Sequence, residues 1–265
     1  MISQYNSETI SRNMKRCSVE RFRKDEHDDC YMDETQAIYH ERLKKLRKND
    51  LLKLYRERYH ESHECPEKIE KIREFILEPH QAASVETIET LQEIIKTAID
   101  ERLIQEFLTK NPFLVARCIH PAHHGKVCIP KPNFGRELQP DYLIAGLDSS
   151  GFSWFGVEFE NPKYKMFTKS GEETKELKHA IRQVQAWRSW LNDNIAYAQN
   201  TLGFLHIDSN LPCIIIIGRR ENEVLDETTL IKRRRDIKNN DKYGLLLHHY
   251  EWLIDVQPTM IKVTD

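Results

Sequence analysis

The sequence predicts an α/β (α+β) fold, in which a mixed β-sheet is flanked by helices and preceded by a small helical N-terminal module. After residue 84, segments of helical and strand periodicity follow one another in the order α-β-β-β-α-β, as in a mixed sheet covered by helices. An apolar, β-branched run from Cys213 to Ile217 is bounded by Pro212 and Gly218, as expected for a buried strand. We therefore predict a helical regulatory or sensing module with a mobile start over residues 1–85 and the main domain over residues 86–265.

The composition excludes several classes of protein. The chain has 265 residues, and its 40 Lys and Arg against 42 Asp and Glu give a net charge of −2, so a nucleic-acid partner must be argued from local patches. No run approaches the ~18 apolar residues that span a bilayer, and the segment Met1 to Arg16 lacks the apolar core of a secretory signal. The six cysteines form no CxxC pair, which favours reduced thiols in a cytoplasmic protein.

Helical patterns dominate the first part of the chain, after a polar start without periodicity. Ser84 can cap a helix that continues to about Lys110, where Asn111 and Pro112 end it. The preceding helices are predicted over residues 33–61 and 66–77, the second ending before Pro79.

The second part of the chain alternates strand-like and helical segments. Further helices are predicted from Glu172 to Asn192 and from Thr228 to Lys238. Besides Cys213 to Ile217, strands are predicted over Phe113 to Cys118, Lys126 to Ile129, Leu138 to Leu147, Phe152 to Glu160 and Tyr243 to His248.

A hairpin predicted around the turn at residues 148–151 would bring three carboxylates close together. Side chains alternate along a strand, so Glu158 and Glu160 share a face with Trp154 and lie roughly 7 Å apart. Asp141, on the partner strand, can converge with them at one edge of the sheet. Like charges this close repel, and a hard divalent cation such as Mg²⁺, which takes oxygen ligands, would relieve the repulsion. The alternative is that these are solvated carboxylates on the wet face of an antiparallel sheet.

The carboxylate pattern resembles the PD-(D/E)XK nuclease signature, and the wider pattern resembles the nuclease domain of the Shedu anti-phage family. The resemblance covers about residues 86–255 and depends on the order and spacing of several motifs. Their sequences are ERLIQEFLTKNP from Glu101, EFENP from Glu158 with the following segment Phe167 to Gly171, ELKHAIRQVQAW from Glu176, IIGR from Ile216 and HYEWL from His249.

The resemblance implies roles for individual residues. Asp141 and Glu158 would bind the metal, and Glu101 would be a helix carboxylate of the site, with Glu106 as its rival. Gln183 and Trp187, four residues apart, look like the glutamine and aromatic motif beside such sites, although Trp187 could equally be a core residue. The family further implies a Mg²⁺- or Mn²⁺-dependent endonuclease that nicks or cleaves phage DNA, and a homo-oligomer such as a tetramer.

Glu160 departs from the signature, which has a lysine two residues after the glutamate. This carboxylate could bind a second metal ion or hold the attacking water as a base. The lysine could instead come from Lys163, Lys165 or Lys178. A nuclease fold that binds DNA without turnover is therefore the main alternative function.

Two other groups of residues offer further ligands. The cluster Cys118, His120, His123, His124 and Cys128 has the ligand types of zinc but the spacing of no standard zinc module, so a zinc-stabilised interaction protein is a weaker alternative. His60, His63 and Cys65 raise the same question more weakly. DNA phosphates are the predicted partners of Lys163, Lys165, Lys178, Lys232, Arg233, Arg234 and Arg235. The basic segment from Arg42 to Arg58 could bind phosphates in the same way or be a solvated helix face.

Overall fold

A computed structural model describes residues 70–77, 83–118, 125–135, 138–148 and 151–257 of the chain. Most of the predicted N-terminal module, including the helix over 33–61, its basic segment and His60, His63 and Cys65, lies outside the described residues. Residues 70–72 are helical and continue into a 3-10 turn, Arg73–Phe75.

Six strands form one mixed sheet, which confirms the predicted fold class. The strands lie side by side in chain order; the first four pair in antiparallel fashion, and the last three run parallel to one another. Their bounds are β1 Ile76–Leu77, β2 Gly125–Pro130, β3 Tyr142–Asp148, β4 Gly151–Phe159, β5 Cys213–Ile216 and β6 Leu245–His248. Strand β1 precedes residue 86, so the sheet includes residues assigned above to the N-terminal module, and the division of the chain at that point stays a prediction.

Besides the helical residues 70–72, six α-helices accompany the sheet within the described residues. Five of the strands, β2 to β6, and the helices over 172–192 and 228–238 were predicted from periodicity, although the first of these helices continues eight residues further, to Asn200. The bounds are α1 Val85–Thr97, α2 Arg102–Lys110, α3 Pro112–Ala116, α4 Lys175–Asn200, α5 Glu227–Asn240 and α6 Trp252–Asp255. In the part of the chain described, no helix is both long and apolar enough to cross a membrane.

Helices cover both faces of the sheet. One buried cluster joins Trp154 of β4 to Val184 and Trp187 of α4, and residues of α5 pack against it. The other joins Val157 and Phe159 of β4 to residues of α1, α2, α3 and α6. The expectation of one wet face is therefore wrong: the carboxylates on β4 extend from a strand that is covered on both sides.

Three predicted elements need correction. The helix predicted over 66–77 does not continue to its expected end, because Arg73–Phe75 form a 3-10 turn and Ile76–Leu77 pair with β2 as strand β1.

The single helix from Ser84 to about Lys110 is two helices, α1 and α2. The guanidinium of Arg219 donates hydrogen bonds to the carbonyl oxygens of Ile95, at 2.6 Å, and of Ala98, which satisfies the carbonyl groups where α1 ends. The side chain of Asp100 then accepts a hydrogen bond from the backbone N–H of Arg102 at 3.1 Å, where α2 begins.

The segment from Phe113 to Cys118 is helix α3 followed by a turn, and not a strand. Pro112 occupies the first turn of α3, where its fixed φ and its missing N–H are tolerated. The next four residues are all buried, so their apolar run carries no periodicity that separates a short helix from a strand.

Candidate active site

The carboxylates lie where the two central antiparallel strands end. Tyr142 of β3 pairs with Val157 of β4, and continuing this register by one residue places Asp141 opposite Glu158. Glu160 follows β4 directly, and its backbone N–H donates to the carbonyl oxygen of Ile216 at 2.8 Å. The hairpin therefore places Asp141, Glu158 and Glu160 at the same end of two central strands, and not along an edge strand.

Asp141 is held from two directions. Its Oδ1 accepts a hydrogen bond from the Gln105 side chain at 2.9 Å, and its Oδ2 accepts one from the backbone N–H of Phe159 at 2.8 Å. Burial raises the pKa of Asp141 to about 6, although the Phe159 hydrogen bond and the charge of Lys131 oppose the rise. Asp141 therefore keeps a fixed position, with one further lone pair on each oxygen for a ligand.

Glu158 is buried, but one of its carboxylate oxygens lacks the hydrogen bond that each oxygen of Asp141 accepts. Its side chain is 6% exposed, and its Oε2 has no hydrogen-bond partner. Burial, together with the charges of Asp141 and Glu160, raises the pKa of Glu158 to about 9, and an interaction with the Gln183 amide lowers it in part. The Oε1 of Gln183 is a second buried acceptor without a partner, so this side of the site lacks a donor or a cation.

Glu160 is half-buried, and its backbone is fixed at both ends. Its carbonyl oxygen accepts a hydrogen bond from the hydroxyl of Tyr250 at 2.8 Å. Burial and then the charges of Glu101, Asp141 and Glu176 raise its pKa to about 7. Negative charge therefore accumulates around Glu160. Glu176, at the start of α4, contributes to this charge, although its position in the sequence did not indicate a role in the site.

The structure separates the two rival helix carboxylates. Glu101 lies at the N-terminal boundary of α2, and its charge raises the pKa values of both Asp141 and Glu160. Glu106 is exposed, and its charge acts on the pKa of Arg102 instead. Glu101 is thus the helix carboxylate that lies near the site.

Helix α4 brings Gln183 to the site and Trp187 to the core. Trp187 is 1% exposed and belongs to the core cluster of its sheet face, with Val184 fully buried beside it. A Cβ added to Gly156 would lie 3.3 Å from the Trp187 ring and 3.1 Å from the Sγ of Cys213. The glycine therefore lets α4 approach β4 closely, which is why an amide from this helix reaches Glu158.

None of the three predicted lysines occupies the place of the signature lysine. Lys163, Lys165 and Lys178 are exposed, and the charge of Lys163 acts on the pKa of Asp100. Lys131 is closer to Asp141: its backbone N–H donates to the Asp141 carbonyl oxygen at 2.8 Å, and its charge lowers the Asp141 pKa. Lys131 also adopts a left-handed φ of 47°, which is uncommon outside glycine, and nothing in its sequence context indicated a role.

The residues present suit a hard divalent cation. Within the described residues, no three His, Cys, Asp or Glu side chains already lie close enough to hold a metal ion. The donor chemistry nevertheless fits, because Glu158 Oε2 and Gln183 Oε1 are buried acceptors without partners beside two further carboxylates.

The cluster from Cys118 to Cys128, weighed above as a zinc site, is only partly described. Burial raises the pKa of Cys118 to about 12 and also raises that of Cys128. His120, His123 and His124 lie outside the described residues.

A comparison with protein-family models shows to which family the chain belongs. The model of the C-terminal region of the Shedu protein SduA matches residues 98–243, more than half of the chain. The chain belongs to the Shedu family. The matched region contains Asp141, Glu158, Glu160 and Gln183 together with strands β2 to β5, which confirms the resemblance to Shedu. No curated protein matches the chain.

Proposed function

We propose that this Shedu protein is a Mg²⁺- or Mn²⁺-dependent DNA endonuclease that nicks or cleaves foreign DNA in anti-phage defence. The observation that carries the proposal is the buried Glu158, which lies opposite Asp141 with one carboxylate oxygen lacking any partner. A buried acceptor of this kind is costly to the folded protein unless a proton or a cation accompanies it. The Shedu relationship makes defence the setting.

The metal would be held by Asp141, Glu158 and Glu160, with the Gln183 amide oxygen close by. When bound, a divalent cation neutralises charge on the scissile phosphate and lowers the pKa of a bound water. Gln105 and the Phe159 N–H would orient Asp141, as groups behind a metal ligand commonly do. Glu101 would add charge behind Glu160, which favours cation binding at that position.

DNA would approach this acidic site through cations at the surface. Lys163, Lys165 and Lys178 are exposed on the segments that follow β4, and Lys232 and Arg233 are exposed on α5. A Cβ on Gly171 would lie 3.0 Å from the Arg233 side chain, so Arg233 lies against the turn before α4. Such cations would supply the sequence-independent part of DNA affinity. We also propose that the protein forms a homo-oligomer such as a tetramer, which light scattering on the purified chain would test.

The direct test is digestion of supercoiled and linear DNA by the full chain with Mg²⁺, with Mn²⁺ and with EDTA. We expect nicked or linear products with either metal and none with EDTA. The Asp141→Ala variant, prepared in parallel, controls for a contaminating nuclease. Intact DNA under both metals, from a folded wild-type protein, would contradict the proposal.

The second candidate is a nuclease-fold module that binds DNA without turnover. It is favoured by Glu160 in the place of the signature lysine, and by the exposure of the three lysines that could replace it. Binding of DNA by the wild type in EDTA, with no cleavage under either metal, would establish this alternative over the first.

A further inference from the structure

A pocket of about 450 Å³ lies between helix α5 and strand β6. Its lining from α5 includes Ile231, Arg234, Arg235 and Lys238, and its lining from β6 includes Leu246 and His248. The α5 residues are spaced at i, i+3, i+4 and i+7, so they form one face of the helix. The basic run is therefore divided: Arg234 and Arg235 line the pocket, and Arg233 lies against the turn at Gly171.

The pocket carries positive charge that no carboxylate in its lining neutralises. In the described part of the chain, no salt bridge involves Arg234, Arg235 or Lys238. Arg234 is only partly exposed, and burial and then the charge of Arg220 lower its pKa, which the charge of Glu223 raises in part. Three cations around a cavity without a carboxylate in its lining favour an anion, and a phosphate suits guanidinium groups in particular.

His248 is fixed as a neutral wall of this pocket. Its Nδ1 lies 3.0 Å from Nη2 of Arg234, which can only donate, so Nδ1 accepts and the ring proton is on Nε2. Its ring stacks on Trp252 with centroids 3.6 Å apart and planes 9° from parallel. Burial and the charge of Arg234 lower the pKa of His248 to about 3, so the charge of the pocket comes from its Lys and Arg residues.

The pocket lies at the same end of the sheet as the carboxylates. Strands β4, β5 and β6 are parallel, and their register aligns Phe159 with Ile216 and Ile216 with His248. Two strand spacings of roughly 4.8 Å place His248 about 10 Å from Phe159, the residue between Glu158 and Glu160. Successive phosphates of one DNA strand are farther apart in space than their rise of about 3.4 Å along the helix axis, because the backbone winds around the axis, so roughly one or two nucleotides cover this distance.

We propose that the pocket binds a backbone phosphate of the DNA strand under attack, roughly one or two nucleotides from the phosphate at the carboxylates. Arg235 and Lys238 contact this phosphate, and Arg234, held by His248, adds charge behind it. The distance along the strand depends on the function proposed above, whereas phosphate binding by the pocket does not. A basic pocket at this end of the sheet offsets the repulsion between DNA and the acidic site.

The test measures binding of the full chain to a fluorescent DNA duplex in EDTA, by anisotropy at several salt concentrations. The double variant Arg235→Gln, Lys238→Gln should bind about tenfold more weakly at low salt, and its slope of log affinity against log salt should fall by about one. The matched control Lys96→Gln, Lys242→Gln also removes two exposed positive charges but leaves the pocket intact. It should keep the wild-type affinity and slope.

The contact is then located by replacing single phosphates of the duplex with neutral methylphosphonates. One replacement, roughly one or two nucleotides from the cleaved bond, should weaken binding by the wild type but not by the pocket variant, because the two changes remove one interaction. Equal affinity and slope for the pocket and control variants would overturn the proposal, as would absence of DNA binding by the wild type. Thermal stabilisation by micromolar AMP that the pocket variant loses, with unchanged DNA binding, would also overturn it and identify a nucleotide site.

These outcomes are separable from the cleavage assay. If the pocket variant loses DNA affinity but the wild type never cleaves, phosphate binding by the pocket stands and the nuclease function fails. If the wild type cleaves and the pocket variant binds DNA like the control, the nuclease function stands and the pocket proposal fails.

Discussion

Asp141 and Glu158 occupy opposite positions on paired strands, but the surroundings of their carboxylates differ. Gln105 of α2 and the Phe159 N–H each donate to one oxygen of Asp141. By contrast, Oε2 of Glu158 and Oε1 of Gln183, on α4, are both buried acceptors without a donor. Asp141 is therefore anchored in the protein alone, whereas the surroundings of Glu158 are complete only with a proton or a cation.

Loss of either carboxylate should have the largest effect that this comparison predicts. We expect Asp141→Ala and Glu158→Ala each to reduce cleavage more than about a hundredfold, beyond the usual effect of losing a group that only orients a ligand. DNA binding in EDTA should stay equal or become tighter, because a negative charge near the phosphates is removed. Nicking rates and anisotropy measure the two effects, and wild-type cleavage by either variant would place the chemistry elsewhere in the chain.

Glu160→Lys tests whether the carboxylate after β4 belongs to the site. The substitution changes the local charge by two units at a proposed cation site, so we expect cleavage to fall roughly tenfold to a hundredfold. Glu160→Gln, which removes the charge without adding a cation, should have an intermediate rate. Faster cleavage by Glu160→Lys would instead mean that Glu160 replaces a lost catalytic lysine, and would favour the DNA-binding module for the natural chain.

Much of the site could be predicted from local sequence. The period of two along a strand placed Glu158, and a hairpin around residues 148–151 was enough to bring Asp141 to it. Gln105 could not be recognised in this way, although it is part of a family motif, because the partner of its amide is 36 residues away in the chain. Lys131 likewise reaches Asp141 only through the pairing of β2 with β3.

The fold shows the same division between local and distant causes. The strands and helices with clear periodicity were predicted, and the errors arose where a distant group decides the outcome. Arg219 binds the carbonyl groups at the end of α1 from more than 120 residues away, so no local pattern marks the break before α2. The sequence also left open whether the face of β4 that carries Glu158 is buried, because a glutamate near the end of a strand is as typical of a solvent-exposed face as of a metal site.

Neutral variants of the two carboxylates should change stability in opposite directions in EDTA at pH 8. Asp141→Asn turns one acceptor into a donor beside the Phe159 N–H or the Gln105 amide, which should destabilise the protein by about 1–3 kcal/mol. Glu158→Gln replaces a carboxylate oxygen with an NH2 donor in a place where two buried acceptors, Glu158 Oε2 and Gln183 Oε1, lack partners. It also removes an ionisable group whose charged form burial disfavours, so it should raise the free energy of unfolding. Urea unfolding of the two variants and the wild type measures the difference. Stability changes of the same sign would refute the contrast between the surroundings of Asp141 and those of Glu158.

The pH dependence of stability should show the smallest effect, and it tests the contrast between Asp141 and Glu158 through their pKa values. Burial raises the pKa values of Asp141, Glu160 and Glu158 to about 6, 7 and 9, so the folded protein keeps protons that the unfolded chain releases near pH 4 to 5. Stability in EDTA should therefore be greatest below about pH 4 to 5 with respect to these groups, and should fall as pH rises towards 9. Each carboxyl protonated only in the folded state contributes a slope of about 1.4 kcal/mol per pH unit.

Between pH 7 and 9, most of that slope should come from Glu158, because its pKa is the highest of the three. Glu158→Gln should flatten the wild-type curve in this range, and saturating Mg²⁺ should flatten it as well, since a bound cation replaces the proton. Asp141→Asn should keep much of the slope above pH 7, because burial is the largest cause of the raised Glu158 pKa, but it should reduce that slope in part, because the Asp141 charge is the second cause, and it should lower the whole curve. Wild-type stability that stays constant or increases from pH 7 to 9 in EDTA would mean that Glu158 is ionised in the folded protein, and that its free oxygen is satisfied without a cation.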